Sequence, residues 1–166
     1  MKCHNLHGHT YLYELTFRFL QQKEIGYAID FKEIKRVACQ FIDDAFDHGI
    51  IVNPMDHSVI KLANSLESKI WVMALNGTEY CNPTVENIAK EIFLAIHKMT
   101  RILYGTRLML DNVRLYETPN CFTDCNIGSI GPNEMQLYYQ MAGRGDALED
   151  YARAKGEIEY DDRVKI

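Results

Sequence analysis

MKCHNLHGHTYLYELTFRF, residues 1–19, sets two chemically rich motifs directly against an alternating apolar ladder. From Thr10 to Phe19 the aromatic and aliphatic side chains Tyr11, Tyr13, Leu15, Phe17 and Phe19 share one parity, and Thr10, Glu14, Thr16 and Arg18 the other. Only Leu12 breaks the pattern. Period-two alternation predicts a strand with one buried face. Carried backward, the same parity puts His7 and His9 on one face. Two such imidazoles can share one zinc ion, or they can be a surface or hydrogen-bonded pair. Gly8 removes the side chain between them and permits close approach of a substrate or another backbone. Cys3 reads either as a thiolate base or nucleophile beside a metal or protonated histidine, or as a small buried hydrophobe.

Outward from this strand the chain alternates helical and extended patterns. GYAID (26–30) reads as a second short strand. Asp30 is an expected N-cap, with Glu33 completing a capping-box-like pair. Phe31, Ile34, Val37, Ala38, Phe41, Ile42 and Ala45 then recur at helical spacing over about four turns. FDHGIIVNP (46–54) reads as a loop punctuated by Gly49 and Pro54. Asp56 is placed to cap a shorter helix running to Leu66, and KIWVMAL (69–75) is a buried strand. Thr84 is placed to cap a second long helix with the stripe Val85, Ile88, Ala89, Ile92, Ile96 and Met99. DNVRLYET (111–118) is a last strand carrying Glu117 near its end. Helices grouped against a mainly antiparallel sheet make the expected class α+β. Residues 1–130 form the expected domain. Residues 131–166, with eight acids, five bases and neither His nor Cys, are expected to be a C-terminal extension, helical around DALEDYARAK.

Composition narrows the function. The 166 residues carry a net charge of −5, which argues against a protein that holds nucleic acid by general electrostatics. No run approaches 18 apolar residues, so no membrane span is expected. The N-terminus lacks the charged-then-apolar pattern of a secretory signal. Five scattered cysteines suggest free thiols in a reducing compartment, with the cytoplasm as the expected location. Cys121 and Cys125 are read as unpaired loop or interface thiols.

Two further constellations carry chemistry. Asp47 and His48 are an acid–imidazole neighbour pair: a carboxylate can orient an imidazole for proton transfer, or both can serve the backbone at a helix end. Glu117 can accept two N–H bonds from the amidine edge of a heterocycle, or it can be a solvated strand-end acid.

In order, Cys-x3-His-Gly-His before a strand, IDFKEIK, DH, NPTVENIAKEIF and YET closely resemble the 6-pyruvoyltetrahydropterin synthase family. The three-residue gap between Cys3 and His7 resembles its 6-carboxytetrahydropterin synthase branch, which belongs to queuosine biosynthesis. The resemblance covers roughly residues 3–130. It implies a tunnelling fold, an antiparallel sheet with two long helices on one face, assembled into homo-oligomers, often hexamers, with active sites at subunit boundaries. It implies zinc held by His7 and His9, a catalytic Cys3, and a proton relay of Asp47 and His48. It makes Glu117 the anchor of the pterin ring and puts Thr84 and Glu86 in the lining of the pterin pocket. The implied substrate is 7,8-dihydroneopterin triphosphate, cleaved to 6-carboxy-5,6,7,8-tetrahydropterin with loss of acetaldehyde and triphosphate.

The family pattern has a strand before Cys3 that bears a third zinc histidine. That strand is expected to be missing here, and the 131–166 segment is expected to cover the sheet edge so exposed. His4, His57 and His97 are the unassigned histidines. Lys2, Arg18 and Arg101 are candidates for the triphosphate. Two alternatives stand beside this activity: formation of 6-pyruvoyltetrahydropterin, and a catalytically inactive pterin-binding module that keeps Glu117.

Overall fold

The computed structural model describes residues 6–75 and 81–156. Strand β1 (Leu12–Phe19) follows the alternation of its sequence, with Tyr11, Tyr13, Leu15 and Phe17 packed against the core. It pairs antiparallel with β4 (Leu108–Thr118), from Leu12 opposite Tyr116 to Phe19 opposite Leu108. β4 pairs in turn with β5 (Cys121–Cys125), giving the order β1-β4-β5. Asp111 is the extra residue where Thr16 faces Asn112 and Phe17 faces Leu110. This bulge flips the parity of β4: Leu108 and Leu110 are buried before it, Val113 and Leu115 after it.

The first helical run is α-helical over Phe31–Ile34 (α1), π-helical over Lys35–Cys39 and α-helical over Gln40–Ala45 (α2). Asp30 caps it by accepting the Lys32 N–H at 2.9 Å. Glu33 turns instead to Arg36, so the reciprocal half of the expected capping box is not made. Val37, Ala38, Phe41 and Ile42 are its buried side chains. Helix α4 (Val85–Tyr104) starts at Thr84, whose hydroxyl accepts the Asn87 N–H at 3.4 Å. It ends at Gly105, which takes φ 60°, a value that favours glycine. Beyond the expected stripe, Glu91, Phe93, Leu94 and Ala95 are also buried, because α4 lies between β4 and β5 on one side and α6 (Arg144–Lys155) on the other.

Several expectations need correcting. GYAID is not a strand: the Lys23 N–H donates to Tyr27 O and the Gly26 N–H to Lys23 O, closing a turn at Gly26 with φ 92°. The stretch expected as the loop FDHGIIVNP contains β2 (Ile50–Val52), paired with β3 (Ile70–Val72). That pair is parallel, because helix α3 (His57–Ser65) carries the chain back between them. Asp56 precedes α3 without a side-chain cap. KIWVMAL is a strand only over Ile70–Val72, and Met73, Ala74 and Leu75 continue as buried irregular chain.

The described part of the expected C-terminal extension, residues 131–156, packs on the domain core. It forms α5 (Glu134–Gln140) and α6, and Tyr138, Leu148 and Ala152 join the main core cluster. It packs chiefly on α4 and also on the π-helical turn, so it adds to the helical layer. Among the described residues of the segment, this contact with the helical layer is the main one, rather than the expected cover of a sheet edge. Polar pins hold it there: Tyr139 donates to Leu94 O at 2.8 Å, Lys90 reaches both Glu134 oxygens at 3.0 Å, and Tyr151 donates to Asp44 at 2.7 Å. No described helix is long and apolar enough to cross a membrane.

Candidate active site

The parity of β1 carries past its start. His9 and Tyr11 have ring centroids 5.7 Å apart, and His7 lies edge-on to His9 at 4.8 Å. Opposite them, β4 reaches its end. The β4–β5 register slips between Tyr116 and Thr118, and Glu117 occupies that irregularity. A bulge re-aims the side chain it carries, and here Glu117 Oε1 comes to 3.5 Å from His9 Nε2. Burial, with the Glu117 charge second, pushes the Tyr11 phenol up from its ordinary value. His7, His9, Tyr11 and Glu117 therefore form one cluster at the sheet end. The sequence reading used Tyr11 only as a core residue, although the parity that joined His7 to His9 extends to it.

Gly8 has open space where a Cβ would project, with no atom of the described residues within 4 Å. Nothing inside the described chain therefore demands glycine by crowding.

Asp47 and His48 form a second unit, just after α2. His48 Nδ1 is 2.8 Å from Asp47 Oδ2, and the two side chains are 92% and 61% exposed. A carboxylate on Nδ1 leaves Nε2 as the nitrogen that exchanges a proton with a ligand. His48 adopts φ 52°, in the left-handed region that few non-glycine residues enter and where Asn, Asp and His are the most frequent of them. Among the described residues, no hydrogen bond or ring contact joins this pair to His9 or Glu117.

Thr84 serves as the α4 cap, and Glu86 is exposed in the first turn of that helix. The chain before the cap is tied by asparagines: Asn53 Nδ2 donates to Asn82 Oδ1, and Asn87 Nδ2 to Asn82 O, both at 2.9 Å. Cys3, His4 and Lys2 lie outside the described residues. Arg18 pairs with Asp111 at 3.6 Å, six residues along β1 from Leu12. At about 3.3 Å per residue that is roughly 20 Å from the Glu117 end, too far to serve a ligand held there by the same subunit. His57 opens α3, and His97 stacks on Phe93 within α4 at 5.5 Å. Cys121 and Cys125 bound strand β5, not a loop. The first is exposed, and burial pushes the thiol of the second up to about 12. None of the described cysteines forms a disulfide.

The fit to a metal can be tested on this geometry. The His7 and His9 rings are close enough to serve one ion as two of its ligands. No group of three His, Cys, Asp or Glu side chains among the described residues is arranged to hold one. The described residues thus bring together two imidazoles, fewer than the three protein ligands a zinc site usually has.

The chain is similar in sequence to known proteins. The family model for 6-pyruvoyl tetrahydropterin synthase matches residues 1–127. The 6-carboxy-5,6,7,8-tetrahydropterin synthase of Rickettsia felis is 36% identical over 124 residues, covering 74% of this chain and 84% of that protein. The protein of the same name from Haemophilus influenzae is 30% identical over 129 residues, covering 74% and 83%. The 6-pyruvoyl tetrahydrobiopterin synthase of Dictyostelium discoideum is 28% identical over 72 residues, covering 42% and 53%. The chain belongs to the 6-pyruvoyl tetrahydropterin synthase family and is a lyase-type enzyme similar to its 6-carboxytetrahydropterin synthase members.

Proposed function

We propose that this enzyme converts 7,8-dihydroneopterin triphosphate to 6-carboxy-5,6,7,8-tetrahydropterin, releasing acetaldehyde and triphosphate, in the route to queuosine. The observation that carries the reading is the meeting of Glu117 with the His7–His9 face at one end of the sheet. A carboxylate there can accept two N–H bonds from the amidine edge of a pterin. The ring's side chain would then lie toward the imidazoles. His7 and His9 would supply two ligands of a zinc ion, which when bound acidifies substrate hydroxyls and stabilises developing negative charge. Thr84 and Glu86 would line the pterin pocket from the start of α4, and Cys3 would be a further proton-transfer group.

Asp47 and His48 supply the proton relay in this reading. Asp47 holds the imidazole through Nδ1, and Nε2 takes or returns the proton at the reacting carbons. Both side chains face outward from their own chain, apart from the Glu117 cluster. That arrangement suits a homo-oligomer, a hexamer by family likeness, in which one subunit's pair completes a neighbour's site.

Glu117→Gln keeps the size of the side chain but loses the charge and one acceptor. Hydrogen bonds to charged groups are worth about 1.5–3 kcal/mol, so KM is expected to rise about 10–100-fold. Steady-state kinetics on the purified oligomer checks this. An unchanged KM would remove Glu117 from the pterin site. The reaction itself is tested by the mass of the product, since a 6-pyruvoyl product retains the carbons that acetaldehyde would carry away.

A further inference from the structure

Lys69 reaches the Asp47–His48 pair without touching either functional side chain. Its Nζ donates to the carbonyl of Asp43 at 2.9 Å and to that of Asp47 at 2.7 Å. These carbonyls lie at and just beyond the C-terminal end of α2, where backbone acceptors lack helical partners and the helix dipole favours a cation. The Asp47 carbonyl belongs to the peptide that links Asp47 to His48. Fixing that peptide plane fixes how both side chains leave the backbone.

The rest of the turn fits around the same lysine. The Gly49 N–H donates to Phe46 O, and the Ile50 N–H to Lys69 O, both at 3.0 Å. The β2–β3 ladder then continues at Ile50 opposite Ile70, so the Lys69 backbone is anchored beside the turn that its side chain spans. The aliphatic stem lies over Gly49: a Cβ there would meet Lys69 Cδ at 3.2 Å and Phe46 O at 3.1 Å. Between these contacts His48 is held at φ 52°, a conformation that persists only when its surroundings impose it.

We propose that Lys69 is a positioning residue for the Asp47–His48 proton relay, its ammonium holding the connecting peptide in the orientation that presents His48 Nε2 to the substrate. This rests on the reading of Asp47 and His48 as the relay. It assigns Lys69 an action through His48, not a contact with substrate.

The test uses the enzyme as the whole 166-residue chain, four single variants and one double variant. Lys69→Met keeps the stem over Gly49 and removes the ammonium; Lys69→Arg keeps a cation. Lys69→Met is expected to lower kcat about tenfold or more, since small misplacements of reacting groups are costly. KM should stay within twofold, and Lys69→Arg should recover most of the loss. Gly49→Ala, which displaces the stem or the Phe46 carbonyl, should lower kcat in the same way. A cap with no other role would give losses that add to those of His48→Asn. A positioning residue gives a Lys69→Met/His48→Asn enzyme no slower than His48→Asn alone. If His48→Asn is slow while Lys69→Met retains full kcat, or if the losses add, the proposal for Lys69 is overturned. If His48→Asn itself is fully active, the relay reading fails first.

Discussion

Tyr138→Ala is expected to destabilise the protein by about 3–5 kcal/mol, the range for emptying a fully buried aromatic site. Tyr138 comes from α5, in the segment beyond residue 130, and is 0% exposed. Its neighbours form a buried polar cluster. Glu91, also 0% exposed, accepts from Trp71 Nε1 at 3.1 Å and from the Ala74 N–H. Arg144 lies 3.9 Å above the Trp71 ring and donates to Val72 O at 2.8 Å. One extension residue thus covers the indole that holds Glu91, and another fills the space beside it. Urea unfolding should show the Tyr138→Ala loss as a lower midpoint. A change below about 1 kcal/mol would mean that the C-terminal helices are peripheral.

Arg144→Ala carries a pH signature in the same cluster. Burial pushes the Glu91 carboxyl up, and Arg144 is among the groups that pull it back down. A carboxyl raised in the folded state gives a stability contribution that is complete below its unfolded value and lost as pH rises through the folded one. Without Arg144 that folded value rises further. The Arg144→Ala penalty is therefore expected to be larger at about pH 7.5 than at about pH 5. Equal penalties at both would show that Arg144 acts by packing alone.

His48→Ala is expected to lower kcat by about 10²–10⁴-fold, the usual worth of a positioned general acid or base. The imidazole is 92% exposed in its own chain, so its removal loses little packing. The backbone complicates this variant, because alanine at φ 52° is strained. His48→Asn isolates the chemistry, since asparagine tolerates that conformation. It should lose kcat to the same degree. Asp47→Asn keeps a hydrogen-bonding group beside Nδ1 but loses the charge, and its loss should be smaller. A His48→Asn enzyme with kcat within threefold of the parent would contradict the relay.

Much of this was legible from local pattern. β1 shows because one face is buried, so its side chains alternate, and the same parity correctly grouped His7 with His9. α4 shows through Thr84 and its apolar stripe. What failed depended on distant partners. β5 was hidden because CFTDC has little apolar alternation; Arg114 from β4 secures it by pairing with Asp124 at 2.7 Å and lying over the Phe122 ring at 4.3 Å. The helix expected around DALEDYARAK is α6, but its docking on the core was hidden because the contact relies on a narrow stripe of Gly145, Leu148 and Ala152 under a charged surface. Close approach does the packing there: a Cβ on Gly145 would come within 2.9 Å of Tyr139 O.

The same division holds for the site. Residue types and spacing pointed to the histidine pair, the acid–imidazole pair and Glu117. The irregularity that turns Glu117 toward His9 is a property of the β4–β5 register, and no single segment encodes it. Lys69 was invisible for a similar reason: its role depends on a parallel pairing that brings residue 69 beside residue 50.

The most direct measurement is a turnover assay of the full chain with 7,8-dihydroneopterin triphosphate and zinc, with product masses recorded. The expected result is 6-carboxy-5,6,7,8-tetrahydropterin with one acetaldehyde released per pterin. A 6-pyruvoyl product without acetaldehyde, or tight pterin binding with no turnover by the zinc-supplied enzyme, would contradict it.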